Sequence, residues 1–442
     1  MSWIKNAATR KIGNVEWSVT QSKVDIWVKH YKSRLIKEAN LESIIALNPM
    51  ERKETIERLI LQMIKEERVI IPSDQIEEII EQLINESVGY GPLEALLKDD
   101  SITEIMVNGP NEVFIERNGK LERTGVRFNN EEHIRHIIDR IIAPLGRRID
   151  ESSPMVDARL IDGSRVNAII PPISLDGPSI SIRKFKKDPY TLADLMVLGS
   201  FSEEMGEFLQ AAVQAKTNIL VSGGTGSGKT TLLNVLSESI PKGERIVTIE
   251  DMAELRFSYD NLVRLEARPP NMEGTGEVMI RHLVRNALRM RPDRIIVGEV
   301  RGSEAIDMLQ AMNTGHEGSL TTVHANTPKD ALGRLEAMVI MAGLPLTVDV
   351  IRGYFVGALD LIVQTSRFSD GKRRIVNISE LIEKDGEIII KDVFIFQRKS
   401  TRSDGQIEGV FRTTGYRPEL MDRFKSFGID YDESTFEEGM YV

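Results

Sequence analysis

Asn218-Ile-Leu-Val-Ser-Gly-Gly-Thr-Gly-Ser-Gly-Lys-Thr-Thr-Leu-Leu-Asn-Val-Leu236 is the stretch that decides the fold. Its middle, Gly223 to Thr230, matches the pattern G-x-x-x-x-G-K-[ST]. The apolar residues before the pattern predict a buried strand, and those after it predict a helix. This strand–loop–helix order is the setting that a phosphate-binding loop requires.

The residue types in this loop suit a nucleotide triphosphate. Glycines let the backbone approach phosphates with its N–H groups pointing inward, and the helix N-terminus adds partial positive charge. Lys229 is predicted to reach the β- and γ-phosphates, and Thr230 to offer its hydroxyl to Mg²⁺. A glycine-rich turn beside a surface lysine is the alternative. The predicted nucleotide-binding residues are Gly223, Gly224, Thr225, Gly226, Ser227, Gly228, Lys229, Thr230 and Thr231.

Acidic and imidazole side chains follow three further apolar stretches that read as buried strands. Glu250 directly follows Arg245-Ile-Val-Thr-Ile249, Glu299 follows Arg294-Ile-Ile-Val-Gly298, and His324 follows Ser319-Leu-Thr-Thr-Val323. In a doubly wound sheet, ligands bind outside the carboxyl ends of the strands. These residues are therefore expected to meet the γ-phosphate, although acids that cap helices or face solvent would leave the same pattern.

Hydrolysis needs one carboxylate to polarise the attacking water and another to hold the water shell of the metal. Glu299 is the candidate for the first role. Glu250 is the candidate for the second, acting on Mg²⁺ through water. His316 and His324 lie eight residues apart around one strand and are candidates for sensing the γ-phosphate, or are simply packed histidines.

Composition limits the possible classes of protein. The chain has 442 residues, no cysteine and a formal net charge of −10. Disulfides, thiolate metal sites and cysteine nucleophiles are excluded. A surface that coats nucleic acid is disfavoured by the acidic balance. No signal-peptide core or apolar run of about 18 residues is present, so we expect no membrane span and a cytoplasmic location.

The chain divides into regions of different pattern. Residues 1–85 have helical periodicity, and residues 86–186 alternate short strands with a helix, as in an α+β domain. A linker is expected at 187–190. Residues 191–400 alternate strands and helices, which predicts an α/β fold with a parallel sheet. Residues 401–442 are polar, weakly patterned and assigned as a tail.

Four segments resemble the type II/type IV secretion ATPase superfamily, in its CpaF-like branch that assembles tight-adherence (Flp) pili. They are the Walker A loop Gly223 to Thr230, the aspartate box Thr248-Ile-Glu-Asp-Met-Ala-Glu-Leu255, the Walker B stretch Arg291 to Gly302 and the histidine box Thr314 to Asn326. The segments Asp157 to Pro172 and Ser181 to Phe185 are also similar to that branch.

The resemblance implies a RecA-like ATPase domain preceded by a smaller N-terminal domain, assembled as a homo-oligomer, a hexamer, at an inner-membrane platform protein. It also implies that Arg165 and Arg183 contact the phosphates of ATP. A guanidinium is suited to that contact, although a surface salt bridge is the alternative. The implied function is an ATP-driven motor for pilus assembly.

Other functions share the same core motifs. A motor for DNA or protein export would have the same four segments. A RecA-like recombinase or helicase would need basic, aromatic-bearing loops, and only Arg281, Arg285, Arg289 and Arg291 form a basic group, on a predicted helix. A non-hydrolysing scaffold is disfavoured by Lys229, Thr230 and Glu299, and no acceptor-site signature indicates a small-molecule kinase.

Overall fold

The chain divides into two compact units, Met1–Lys184 and Phe185–Val442. Most of the expected linker lies outside the residues that the structure describes. Across the described part of the chain, no helix combines the length and the apolar character that a bilayer crossing needs. The computed structural model describes residues 23–38, 44, 47, 49–87, 89–185, 190–270 and 275–437.

The described part of the first unit opens with helices α1 (Lys23–Glu38), α2 (Pro49–Glu67) and α3 (Ser73–Ser87). Their apolar residues recur at three- and four-residue spacing, so each helix has one apolar stripe. The stripes pack together into a core of their own. Its fully buried members include Tyr31, Leu35, Ile56, Ile60, Ile79 and Leu83.

The rest of the first unit is an α+β arrangement with a separate core. The elements are α4 (Leu93–Lys98), β1 (Ile102–Val107), β2 (Val113–Arg117), β3 (Lys120–Arg123), α5 (Glu131–Ile142), a 3-10 turn (Ala143–Leu145), β4 (Met155–Arg159), β5 (Arg165–Ile169) and β6 (Ser179–Arg183). The strands pair only antiparallel, in the order β3-β2-β1-β6-β5-β4. The apolar face of α5 packs on this sheet through Ile134, Ile137 and Ile138.

The second unit alternates helices and strands and then ends in long antiparallel strands. Its elements are α6 (Leu192–Val197), α7 (Glu203–Gln214), β7 (Ile219–Gly223), α8 (Lys229–Ser237), β8 (Ile246–Glu250), β9 (Leu262–Glu266), α9 (Ile280–Ala287), β10 (Arg294–Val300), α10 (Glu304–Asn313), β11 (Leu320–Val323), α11 (Pro328–Met341), α12 (Val348–Ala358), β12 (Leu361–Arg367), β13 (Arg373–Lys384), β14 (Glu387–Thr401), β15 (Ile407–Thr413), α13 (Leu420–Ser426) and a 3-10 turn (Glu433–Phe436).

One sheet runs through this second unit, in the order β15-β14-β13-β12-β7-β11-β10-β8-β9. Within that order, the pairs β12-β7, β7-β11, β11-β10, β10-β8 and β8-β9 are parallel. The pairs β12-β13, β13-β14 and β14-β15 are antiparallel. The predicted α/β class with a parallel sheet is confirmed. Parallel strands have their carboxyl ends at the same edge of a sheet. The residues that directly follow β7, β8, β10 and β11 therefore lie at that edge.

The region after residue 400 continues this sheet rather than trailing from it as the tail assignment expected. Strand β14 runs on to Thr401, β15 pairs with it, and α13 packs against α7. The physical reason is an aromatic cluster around the fully buried Phe208 of α7. The rings of Phe394, Phe424, Tyr431 and Phe436 lie within 5.4–6.1 Å of the Phe208 ring.

Candidate nucleotide-binding site

The loop between β7 and α8 has the shape of a phosphate cradle. Every residue of β7 is buried, and the loop leaves the sheet at Gly223. Gly226 and Gly228 have φ of 67° and 96°, in the left-handed region that other residues rarely adopt. A Cβ atom on Gly223 would lie 2.3 Å from Thr365 Oγ1 and 2.4 Å from Ser227 Oγ. The two neighbouring hydroxyls therefore require glycine at this position.

Lys229 begins α8 and reaches back over the loop. Its Nζ donates to the carbonyl oxygens of Gly223 at 3.0 Å and Gly224 at 3.1 Å. The ammonium group is thus held against the inner rim of the loop, next to the backbone groups that would surround a phosphate. Thr230 and Thr231 follow on the first turn of α8 and are half-buried.

Strand β12 braces the loop from the side, through a residue that the sequence did not single out. Thr365 Oγ1 donates to Ser222 O at 3.1 Å and lies 2.9 Å from Ser227 Oγ. Thr365 is buried, and its strand lies parallel to β7 with Thr365 opposite Gly223. The start of the loop is therefore fixed by a strand that comes about 140 residues later in the chain.

Two arginines of the β12–β13 hairpin also contact the loop, and neither was among the predicted site residues. Arg373 Nε donates to Gly226 O at 2.8 Å. Arg367 Nη1 lies 3.3 Å from the position that a Cβ of Gly226 would occupy. The available signal was the segment Ser369-Asp370-Gly371, whose residue types favour a turn and which is flanked by basic residues. These guanidinium groups add positive charge beside the glycines.

Glu250 is buried at the end of β8, and its carboxylate organises the next loop. It accepts hydrogen bonds from Glu254 N at 2.7 Å and Leu255 N at 3.0 Å. Burial raises the pKa of Glu250, while these two amide groups oppose that rise. A Cβ on Gly298 would lie 2.9 Å from Glu250 Cγ, so glycine on the neighbouring strand makes room for the side chain.

Glu299 lies near the end of β10 and is 24% exposed. It forms an ion pair with Arg301, whose Nη2 lies 2.6 Å from Glu299 Oε2. Arg301 Nη1 also lies 3.8 Å from Asp251 Oδ2. The hydrogen bond to Glu299 raises the pKa of Arg301. Arg301 stood inside the quoted Walker B segment, but no role was predicted for it.

His324 follows β11 directly and shares the edge of the sheet with the loop. Val323 pairs with Ser222, so the next residue of each strand, His324 and Gly223, leaves the sheet at the same level. Burial lowers the pKa of His324, the charge of Lys229 lowers it further, and Glu299 opposes both. The imidazole is therefore neutral near pH 7. The structure brings Lys229, Glu299 and His324 into one electrostatic neighbourhood.

His316 does not join that neighbourhood within one chain, contrary to the expectation for both histidines. It precedes β11, whereas the loop follows the parallel strand β7. The four residues of β11 separate the two edges by about 13 Å, at about 3.3 Å per residue. His316 Nδ1 lies instead 3.3 Å from Ala311 O, at the end of α10.

Arg165 and Arg183 lie in the first unit, directly opposite each other on β5 and β6. Arg159 of β4 is opposite Arg165 in turn. Residues that pair directly across strands project from the same face of a sheet. The three arginines therefore form a row across one face, which we call the arginine row. Arg165 is half-buried and Arg183 is exposed.

A family comparison fits this arrangement. Residues 86–378 match the family described as "Type II/IV secretion system protein". The chain belongs to this family. The matched range includes the arginine row, the phosphate-binding loop, Glu250, Glu299 and His324.

Curated members of the family are similar over most of their length. A putative conjugal transfer protein of Mycobacterium tuberculosis strain H37Rv is 39% identical over 312 residues, which cover 69% of this chain and 88% of that protein. The type IV secretion system protein VirB11 of Bartonella quintana is 32% identical over 346 residues, which cover 68% and 95%. The crystal structure of the VirB11 ATPase of Brucella suis, in complex with sulphate, is 32% identical and covers 65% of this chain and 94% of that chain, with a TM-score of 0.36.

Family membership settles the general activity. The chain is an ATP-hydrolysing enzyme of the type II/IV secretion family. Its phosphate cradle and the polar groups at the carboxyl edge of the sheet are the parts that such an enzyme needs.

Proposed function

We propose that this ATPase drives assembly of a tight-adherence (Flp-type) pilus from the cytoplasmic side of the inner membrane, as a hexamer bound to a platform protein. The observation that carries the motor chemistry is the convergence of Lys229, Glu299 and His324 beside the glycine loop. The pilus assignment is supported by the similarity of the segments Asp157 to Pro172 and Ser181 to Phe185 to the CpaF-like branch.

In this proposal the loop residues Gly223 to Thr231 hold the triphosphate, and Lys229 neutralises charge at the β- and γ-phosphates. Glu299 orients and deprotonates the attacking water. Its ion pair with Arg301 fixes the direction of the carboxylate. His324, neutral near pH 7, is suited to form a hydrogen bond with the γ-phosphate or its water.

The oxygen donors at the loop fit Mg²⁺, which binds through one or two protein oxygens together with water and substrate phosphates. Thr230 is proposed as the direct ligand and Glu250 as an acceptor for the surrounding water. Glu250 already accepts two amide hydrogen bonds, which orient its carboxylate beside β10. When bound, Mg²⁺ supplies charge neutralisation on the phosphate oxygens.

The arginine row is the proposed contribution of the first unit. Arg165 and Arg183 are assigned to the phosphates, with Arg159 beside them in register. Glu104 of β1 lies opposite Arg183, so the row carries three guanidinium groups beside one carboxylate, and guanidinium groups are suited to bind phosphate. His316 is proposed to act away from the phosphate-binding loop of its own chain. Its proposed role is contact with a neighbouring subunit.

Export of DNA or protein is the second candidate function. It is favoured by the names of the relatives, which are a conjugal transfer protein and a type IV secretion protein. Both functions use the same ATPase chemistry, so the partner and not the site distinguishes them.

An affinity capture from the native membrane fraction tests the proposal. The Glu299→Gln chain is held in ATP, and bound proteins are identified by mass spectrometry. The Lys229→Ala chain, which lacks the phosphate-binding ammonium, is the matched control. A polytopic platform protein with small pilins, captured by the first chain and not the second, supports pilus assembly. A coupling protein, relaxase or exported effectors would overturn it in favour of secretion.

A further inference from the structure

Two consecutive residues of strand β12 make hydrogen bonds to two different parts of the candidate site. Thr365 contacts the glycine loop at Ser222 O and Ser227 Oγ. Gln364, one residue earlier, donates instead from Nε2 to Ala325 O at 3.1 Å. Successive side chains of a strand project to opposite faces of its sheet. The strand therefore holds the glycine loop from one face and the segment that follows β11 from the other.

Gln364 reaches across β7 to make its hydrogen bond. It lies opposite Ser222 of β7, and Ser222 in turn lies opposite Val323 of β11. Ala325 comes two residues after Val323, on the far side of β7 from the glutamine. Neighbouring strands lie about 4.8 Å apart, so the contact spans two strand spacings. A side chain as long as glutamine is needed to join β12 to the end of β11.

This hydrogen bond fixes the segment that carries His324. The residues His324 to Asn326 connect β11 to Thr327, which is the N-cap of α11. Ala325 lies in the middle of that short connection and is buried. Its carbonyl group needs a partner there, because buried backbone groups are almost always paired, and Gln364 supplies one. The peptide group one residue after His324 is thereby held in one orientation, which limits the directions that the imidazole can take.

Packing alone does not favour glutamine at this position. Gln364 is 2% exposed, and its Oε1 has no hydrogen-bond partner among the described residues. A buried polar atom without a partner destabilises the folded state. Methionine has about the same length and lacks that atom, so it would fill the same space without the cost. The amide of Gln364 therefore contributes its contact with Ala325 rather than general stability.

We propose that Gln364 is a positioning residue for ATP hydrolysis, which acts through the carbonyl of Ala325 to direct His324 toward the γ-phosphate. This inference rests on the role of His324 given under the proposed function. Thr365, its neighbour on β12, holds the loop that binds ATP. The two residues therefore affect different kinetic constants: Thr365 affects the KM for ATP, and Gln364 affects kcat.

Steady-state ATPase kinetics on the full chain test this division. Gln364→Met removes the amide and keeps the length of the side chain. We expect kcat to fall by about tenfold or more with an unchanged KM, because a small misplacement of a reacting group slows the chemical step. Gln364→Leu is a second apolar replacement with the same expected result. Thr365→Val should instead raise the KM by about three- to tenfold, the size of a net hydrogen bond, and Thr365→Ser should restore it.

A matched control removes a buried hydrogen bond elsewhere in the same sheet. Ser379 of β13 is fully buried, and its Oγ donates to Asp392 Oδ1 at 2.6 Å. Ser379→Ala should lower the melting temperature and leave kcat and KM unchanged. Calorimetric melting of Gln364→Met should stay close to that of the parent. An effect of Gln364→Met on the KM alone, as expected for Thr365→Val, would overturn the inference.

A double-mutant cycle with His324→Ala separates positioning from general support of the sheet. His324→Ala alone should lower kcat by about 10–100-fold, the size of one hydrogen bond to a charged group. Adding Gln364→Met should then change kcat by less than about twofold, because the group that it positions is gone. Effects that multiply, or a parent-like kcat for Gln364→Met alone, overturn the inference and leave the role of His324 intact. A parent-like kcat for His324→Ala refutes the proposed role of His324 and, with it, this inference.

Discussion

Replacing Glu299 with glutamine removes one charge and leaves the shape of the side chain unchanged. Arg301 Nη2 donates to Glu299 Oε2 at 2.6 Å, and an amide oxygen can accept the same bond. The side chain is 24% exposed, and glutamine has the same size as glutamate, so its packing contacts are kept. We therefore expect the Glu299→Gln chain to fold and to bind ATP as the parent does. In the proposed mechanism, it loses only the group that takes a proton from water.

The size of the effect follows from that lost role. A positioned general base contributes about 10²–10⁴-fold to the rate. In free energy this is about 3–5.5 kcal/mol of the activation barrier. Steady-state phosphate release measures turnover, and titration with a fluorescent ATP analogue measures binding. Turnover is expected to fall within that range while the dissociation constant stays close to that of the parent.

A matched control separates the base from an ordinary ion pair. Glu336 is 23% exposed and pairs with Arg352 at 3.2 Å, so its setting resembles that of Glu299. Glu336→Gln should leave turnover within about twofold of the parent, as surface substitutions usually do. If Glu299→Gln also stays within that limit, the assignment of Glu299 as the base is refuted.

Three further predictions concern the loop, the core and the arginine row. Gly223→Ala places a Cβ 2.3 Å from Thr365 Oγ1, so we expect a stability loss of about 1–3 kcal/mol and weaker ATP binding, checked by calorimetric melting and ATP titration. Arg294→Met leaves Glu244 without its partner at 2.5 Å, and the expected loss of about 3–5 kcal/mol is measured as a lower denaturant midpoint, which an unchanged midpoint would contradict. Arg165→Met should lower ATP turnover by about 10–100-fold with unchanged melting, because a hydrogen bond to a charged group is lost, and parent-like turnover would remove the residue from the phosphate site.

The parts of the site that are local in sequence could be predicted. The glycine loop lies within one strand–loop–helix segment, so its residues follow from spacing alone. Glu250, Glu299 and His324 could be assigned to the site because each lies at the carboxyl end of a buried strand. The carboxyl ends of parallel strands share one edge of the sheet. His316 cannot be placed in this way, because it precedes its strand and therefore lies at the opposite edge of the sheet.

The residues that the sequence did not reveal depend on which distant strand lies next to β7. Thr365 and Arg367 reach the loop only because β12 pairs with β7, and no local pattern fixes that neighbour. Arg373 follows from the same pairing through the hairpin. Arg301 is close to Glu299 in sequence, but its ion pair depends on side-chain direction at the end of β10. Long-range pairing and rotamer choice are the two kinds of information that the residue pattern lacks.

The continuous sheet of the second unit has a practical consequence for anyone who produces this protein in pieces. The family match ends at residue 378, in the middle of β13, which spans Arg373–Lys384. A fragment cut there keeps every ATPase motif but loses β14, β15 and the aromatic residues that pack on Phe208. The remaining stub of β13 would present unpaired backbone groups, a template for aggregation. Fragments for expression should therefore extend to residue 437, which lies more than a hundred residues beyond the end of the histidine box at Asn326.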